Sequence, residues 1–155
     1  MTARRRFPAE SRILSRILQI TQKRKPVRGR LLLSIGDDAA AFHTRPGYLL
    51  LVSSDALIEG IHFDRKWTSP RNLGWKALAV NLSDIAAMGG SPLYALTTLG
   101  IPPKIPSGFI VDFYRGLSQL ASRHGVALVG GDTCSSPKDL FIDVTILGEV
   151  KSHQL

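Results

Sequence analysis

Residues 70–90, "PRNLGWKALAVNLSDIAAMGG", constrain the fold of this chain more than any other stretch. Pro70 suits the first turn of a helix, and Gly89, Gly90 and Pro92 stop one, so the segment reads as a helix running to about Met88. Its interior is small and apolar, so it must pack on a sheet rather than stand in water. One carboxylate, Asp84, interrupts the apolar run, with Ser83 and Asn81 close by. Asn81 and Asp84 are three residues apart and share nearly one face near the helix's C-terminal end. That end carries partial negative charge, where an acid is badly placed as a cap and well placed as a cation ligand. An unpaired buried carboxylate costs several kcal/mol or is neutralised.

The flanking segments supply the sheet. "LLLSI" (31–35), "YLLLVSSD" (48–55), "LYALTTLGI" (93–101), "VALVGGD" (126–132) and "DLFIDVTILGEV" (139–150) read as strands. "LIEGIHF" (57–63) is a weaker extended segment, and "DDAAAFH" (37–43) leads into a turn at "RPG" (45–47). Residues 107–124 form an amphipathic helix closed by Gly125, and residues 8–21 repeat Ile13, Leu14, Ile17 and Leu18 at helical spacing. The order predicts an α/β (α+β) domain, a mixed sheet with helices packed on one face, over 31–150. Residues 1–30 form a separate basic helix and loop.

The chain's 155 residues and net charge of +8 hide an asymmetry. Residues 1–36 hold ten Lys/Arg and one acid, whereas 37–155 hold ten Lys/Arg and eleven acids. A basic arm can bind nucleic acid or anionic surfaces, and an Arg-rich start can be a transit peptide; a solvated helix face and loop is the plainer reading. Nucleic-acid binding lacks the aromatic interleaving of stacking platforms. The longest aliphatic or aromatic run, "YLLLV" (48–52), falls far short of the roughly 20 residues of a membrane helix. Arg12 and Arg16 interrupt any signal-peptide core. The single cysteine, Cys134, fits a reducing compartment, so a cytoplasmic protein is expected.

Asp37, Asp38, Asp55, Asp84 and Asp132 are the candidate acids. Three polar clusters, "GDD" (36–38), "SSD" (53–55) and "GGD" (130–132), fall where strands are expected to end, which is where α/β domains place chemistry. Each Asp alone is a common turn or cap residue. Together they repel one another, few basic residues neighbour them, and hard divalent cations are the natural neutralisers of clustered oxygens. Mg²⁺ needs only one or two protein carboxylates per ion, with waters and phosphate oxygens completing its shell. The sequence contains no Walker A motif, no kinase-type Gly-rich loop and no zinc pattern.

"GDDAA" (36–40), "SSDALIEGIHF" (53–63), "GWKALAVNLSDIAAMGG" (74–90) and "GGDT" (130–133) follow in the order seen in thiamine-monophosphate kinases, of the aminoimidazole ribonucleotide synthetase-like superfamily, which the chain resembles from about Ile13 to Val150. The resemblance implies transfer of the γ-phosphoryl of ATP to thiamine monophosphate, with several Mg²⁺ ions. By motif position it implies metal ligands Asp38, Ser53, Ser54, Asp55, Asp84 and Asp132, a substrate-binding His62, and nucleotide contacts at Tyr114, Gly131 and Asp132. The family's usual Thr is replaced by Ser here. Read from its neighbours alone, His62 is a structural histidine beside Phe63, and Tyr114, between Val111 and Leu117, is equally a core residue. The resemblance further implies that this chain lacks the family's C-terminal domain, that it forms a homodimer, and that a separate C-terminal half would complete it. A non-catalytic dimerising or ligand-binding remnant is the alternative.

Overall fold

The computed structural model describes residues 31–33 and 39–155. The helix expected over 8–21, the basic loop, Asp37 and Asp38 lie outside the described residues. In chain order the elements are β1 (Leu31–Leu33), β2 (Ala40–His43), β3 (Tyr48–Ile58), α1 (Pro70–Ala87), β4 (Ser91–Ile101), α2 (Ser107–His124), β5 (Ala127–Ser135) and β6 (Phe141–Lys151). The strands form one mixed sheet in the order β1-β2-β3-β6-β4-β5, with β4 and β5 parallel and the other neighbours antiparallel.

The central pair, β3 and β6, is matched from Tyr48↔Lys151 to Ile58↔Phe141 without a register shift. Side chains alternate across a strand, so this pairing sorts them cleanly. Leu49, Leu51 and Leu57 of β3 and Ile142, Val144 and Ile146 of β6 are buried in one core with Leu73, Leu78 and Ile85 of α1 and Phe113 and Leu117 of α2. Ser54 and Ala56 point the other way and are exposed. β4 reaches β5 through α2, the crossover that parallel neighbours require.

Helix α1 begins as its sequence predicts. Ser69 Oγ accepts the Asn72 backbone N–H at 3.2 Å and Pro70 occupies the first turn. Beyond its buried Leu73, Ala77, Leu78 and Ile85, it half-buries Trp75, Ala79 and Leu82. A helix covered on several sides has no need of a polar stripe. The two helices meet where each has a glycine. A Cβ on Gly74 would lie 1.9 Å from Phe113 O, and one on Gly116 would lie 1.8 Å from Arg71 O.

Three expectations change. Residues 40–43 form a strand, β2, rather than a lead-in to a turn; four residues are too few for periodicity to show, and pairing with Leu49–Val52 of β3 supplies the order. The segment 57–63 is divided between the end of β3 and a turn. The polar clusters 53–55 and 130–132 lie inside β3 and β5 rather than at their ends, because backbone pairing with β6 and β4 continues through them.

Gly74→Ala and Gly116→Ala should each destabilise the domain by about 2–3 kcal/mol through overpacking at the helix crossing, seen as an earlier urea midpoint with an unchanged slope.

Candidate active site

β3 delivers Ser53 and Asp55 to the helix-covered side of the sheet, and the last turn of α1 lays Asp84 against them. Ser53 Oγ donates to Asp84 Oδ2 at 2.5 Å. Burial pushes the Asp55 carboxyl above its ordinary value of 3.8, and the negative charges of Asp84 and Asp143 push in the same direction while His62 opposes them. One turn before Asp84, Asn81 is fully buried. Its Nδ2 donates to Ala77 O at 3.0 Å, and its Oδ1 has no hydrogen-bond partner among the described residues. The groups that meet here are all oxygen donors, two carboxylates in no salt bridge among the described residues and a hydroxyl, and the orphan amide carbonyl of Asn81, whose burial calls for a partner, lies one turn earlier on the same helix. Among the described residues no three or more His, Cys, Asp or Glu cluster as a metal site. The set suits Mg²⁺, which takes few protein carboxylates and shares its shell with water and phosphate, better than a closed structural cage.

His62 sits on the turn that follows β3. Its backbone N–H bonds to Ile58 O at 2.9 Å, and its Nδ1 accepts the Ile58 N–H at 3.0 Å. In the neutral ring the proton then lies on Nε2, leaving an N–H donor for a ligand. Lys76 Nζ of α1 donates to His62 O at 2.6 Å. Glu59 fixes the base of the turn: its carboxylate accepts from Arg65 Nε at 2.6 Å and from the Leu140 backbone N–H at 3.1 Å. Phe63 is buried below. A cavity of about 400 Å³ opens on this turn, lined by His62, Phe63, Asp64, Trp67 and Lys76 among others. A larger one, about 640 Å³, is lined by Leu32, Met88 and Leu155 with no titratable side chain, and offers no comparable chemistry.

The other candidates lie elsewhere. Ser54, in the opposite phase of β3, turns to the open face, where its hydroxyl contacts Asp143 Oδ1 at 3.0 Å and Thr145 Oγ1 at 3.1 Å. Asp132 is exposed on β5 and pairs in register with Thr98 of β4, which pairs with Asp143 of β6. These three share the open face with Ser54, with the sheet between them and the Ser53–Asp84 contact. Gly131 is pressed against β4, since a Cβ there would lie 1.9 Å from Thr97 O. Tyr114 is half-buried on α2, edge-on to Phe113, and burial pushes its phenol above 10.0. Asp143, Glu59, Trp67 and Lys76 were not singled out from sequence. The polar phase of the alternation "IDVTI", which sets Asp143 opposite the buried Ile142, Val144 and Ile146, and the acid within "LIEGIHF" were the available signals.

This layout defines a class. The chain belongs to the family described as AIR synthase related protein, N-terminal domain, which matches residues 36–150. Its curated relatives include the thiamine-monophosphate kinase of Bacillus subtilis (strain 168), 42% identical over 122 residues that span 79% of this chain and 38% of that protein. The enzyme of the same name from Buchnera aphidicola subsp. Schizaphis graminum is 34% identical over 146 residues, 94% of this chain and 44% of the relative. The solved structure of AaThiL complexed with AMPPCP and TMP superposes with a TM-score of 0.81 at 31% identity, covering 97% of this chain and 45% of that one. The expected resemblance and fold class are both borne out, and the chain spans less than half the length of these relatives.

An Asp carboxyl held above its ordinary value disfavours folding once ionised. That contribution is most favourable below the unfolded value and is lost as pH rises from there through the folded value. Asp55→Asn should therefore raise the melting temperature at neutral pH in chelator by about 1–3 °C. A lower melting temperature would contradict the repulsive reading of this cluster.

Proposed function

We propose that this chain carries the magnesium and phosphate site of an ATP-dependent kinase that phosphorylates thiamine monophosphate to thiamine diphosphate. The observation that carries the reading is the meeting of Ser53, Asp55 and Asp84 in an acid-rich, oxygen-only site beside a cavity that holds His62. Among curated relatives, proteins that share this stretch of sequence are thiamine-monophosphate kinases, and a structural relative was solved with AMPPCP and TMP. We take those ligands as stand-ins for ATP and as thiamine monophosphate.

The chemistry asks little covalent help of the protein. A phosphate monoester is largely dianionic at neutral pH, its second pKa being about 6, so the attacking oxygen needs no general base. Positioning and charge neutralisation carry the transfer. Asp55 and Asp84 would hold Mg²⁺, which when bound neutralises charge on the transferring phosphoryl group. Asp38 belongs to the same proposal as a further ligand, Ser54 and Asp132 belong to it as ligands of a further ion on the open face, and Tyr114, Gly131 and Asp132 as nucleotide contacts. His62 offers its Nε2–H to the acceptor. No helix among the described residues is long and apolar enough to cross a membrane. A cytoplasmic setting is part of the reading.

Val52, Leu147 and Tyr94 form an apolar row across β3, β6 and β4 on the open face, with Tyr94 46% exposed. That row supports a homodimer through this face. It equally supports the second reading, a non-catalytic dimerising or ligand-binding module, because turnover would need the sequence that the longer relatives add. Supplying the added sequence of a longer relative as a separate chain separates the two readings, since the module transfers no phosphate even then.

Calorimetry with ATP and Mg²⁺ tests the site. Asp84→Asn and Asp55→Asn should each weaken nucleotide binding more than about 100-fold, beyond the 10–100-fold typical of residues that only support metal ligands. Chelation of Mg²⁺ should do the same to the unmodified chain. Unchanged ATP affinity in both variants would end the proposal.

A further inference from the structure

Two large apolar side chains stand out from the turn that carries His62: Ile61 is 68% exposed and Trp67 is 86% exposed. Singly, such residues need no explanation. These two line the same cavity of about 400 Å³ as His62, within the size range of small-ligand sites. The wall they belong to is fixed. The Trp67 and Thr68 backbone N–H groups both bond to Asp64 O at 3.1 Å, and Asp64 Oδ1 accepts the Lys66 N–H at 2.8 Å. Directly afterwards Ser69 caps α1. Among the described residues, the Trp67 ring has no aromatic or cationic partner; Arg123 lies over the other indole, Trp75. A wide π face is thus held out at the mouth of a cavity with no intramolecular use for it.

The cavity's polar groups complete the description. The His62 Nε2–H is available to an acceptor oxygen, because Nδ1 is occupied by Ile58 N–H. Lys76 Nζ is engaged with the His62 carbonyl and lines the cavity. His62 stands on the turn that ends β3, the strand that carries Asp55, so the cavity lies next to the acid site. A flat ring against the indole, a donor and an ammonium for phosphate oxygens, and a metal-binding site beyond them match a phosphate monoester of a planar heteroaromatic alcohol. An adenine nucleotide fits less well, since its triphosphate must itself occupy the acid site.

We propose that Trp67 is the specificity-determining platform of the acceptor pocket, stacking on the heteroaromatic ring of a phosphate monoester whose phosphate points past His62 towards Asp55 and Asp84. The identity of that monoester as thiamine monophosphate rests on the function proposed above. The test is a calorimetric titration of the 155-residue chain in Mg²⁺, with thiamine monophosphate and with ATP, for the unmodified protein, Trp67→Phe and Trp67→Ala. Trp67→Ala should weaken thiamine monophosphate about 10-fold, within the range of losses for a stacked base. Trp67→Phe should stay within about 3-fold of the unmodified protein, because it keeps a ring. ATP binding should be unchanged in both. If Trp67→Ala melts early, Trp67→Leu keeps the apolar bulk without the ring and carries the same comparison. Equal affinity for thiamine monophosphate with and without the ring overturns the role of Trp67 and leaves the kinase reading standing. A loss that falls on ATP instead reassigns the platform to the nucleotide and also overturns the proposal. An unmodified chain that binds ATP but no thiamine monophosphate overturns the acceptor reading, and this inference with it.

Discussion

The hydrogen bond from Ser53 to Asp84 joins the middle of β3 to the last turn of α1, and most of the domain's arrangement serves that meeting. It requires α1 to lie close against the sheet, which its apolar surface and the burial of Leu73, Leu78 and Ile85 ensure. It also requires α1 to be held from behind, which α2 does through the glycine crossing at Gly74 and Gly116. The β3–β6 pairing then fixes which residues of "SSD" face the helix. A shift of one residue in that register would present Ser54 to Asp84 and turn Ser53 and Asp55 away.

The same meeting is electrostatically unfavourable on its own. Asp84 adds a negative charge to the negative end of a helix, and Asp55 and Asp143 bring two more acids within interacting range. Packing holds these groups together against their repulsion. Such tension is characteristic of sites that await a cation or substrate, and stability is commonly lower where function requires it.

Much of this was legible in the sequence because its long elements are strongly periodic. Both described helices, the central strands and the mixed sheet follow from "YLLLV", "FIDVTIL" and the segments 70–90 and 107–124. β2 was not legible, since four residues between an acid-rich stretch of sequence and a turn have no period of their own. The acids were recognisable by type, but placing them required knowing where pairing stops. The polar clusters look like strand ends only if polarity is taken to end a strand, and an open sheet face tolerates polarity along its length. Ser54 could have been separated from Ser53 and Asp55 by period-two alternation alone. Its partner Asp143 could not, because that contact joins residues 89 positions apart. The same holds for Glu59, whose bond to the Leu140 amide is made only once β6 is in place.

Helix α1 meets the site at two points, Lys76 at the carbonyl of His62 and Asp84 at Ser53. Eight residues of α-helix span about 12 Å. The helix is therefore a ruler: it sets the separation between the pocket wall and the acids in covalent geometry rather than in the adjustable lengths of loops. A ligand that touches both ends is measured by a rod that bends little. Inserting a residue between Lys76 and Asp84 would change that length by about 1.5 Å and turn one end by about 100° relative to the other.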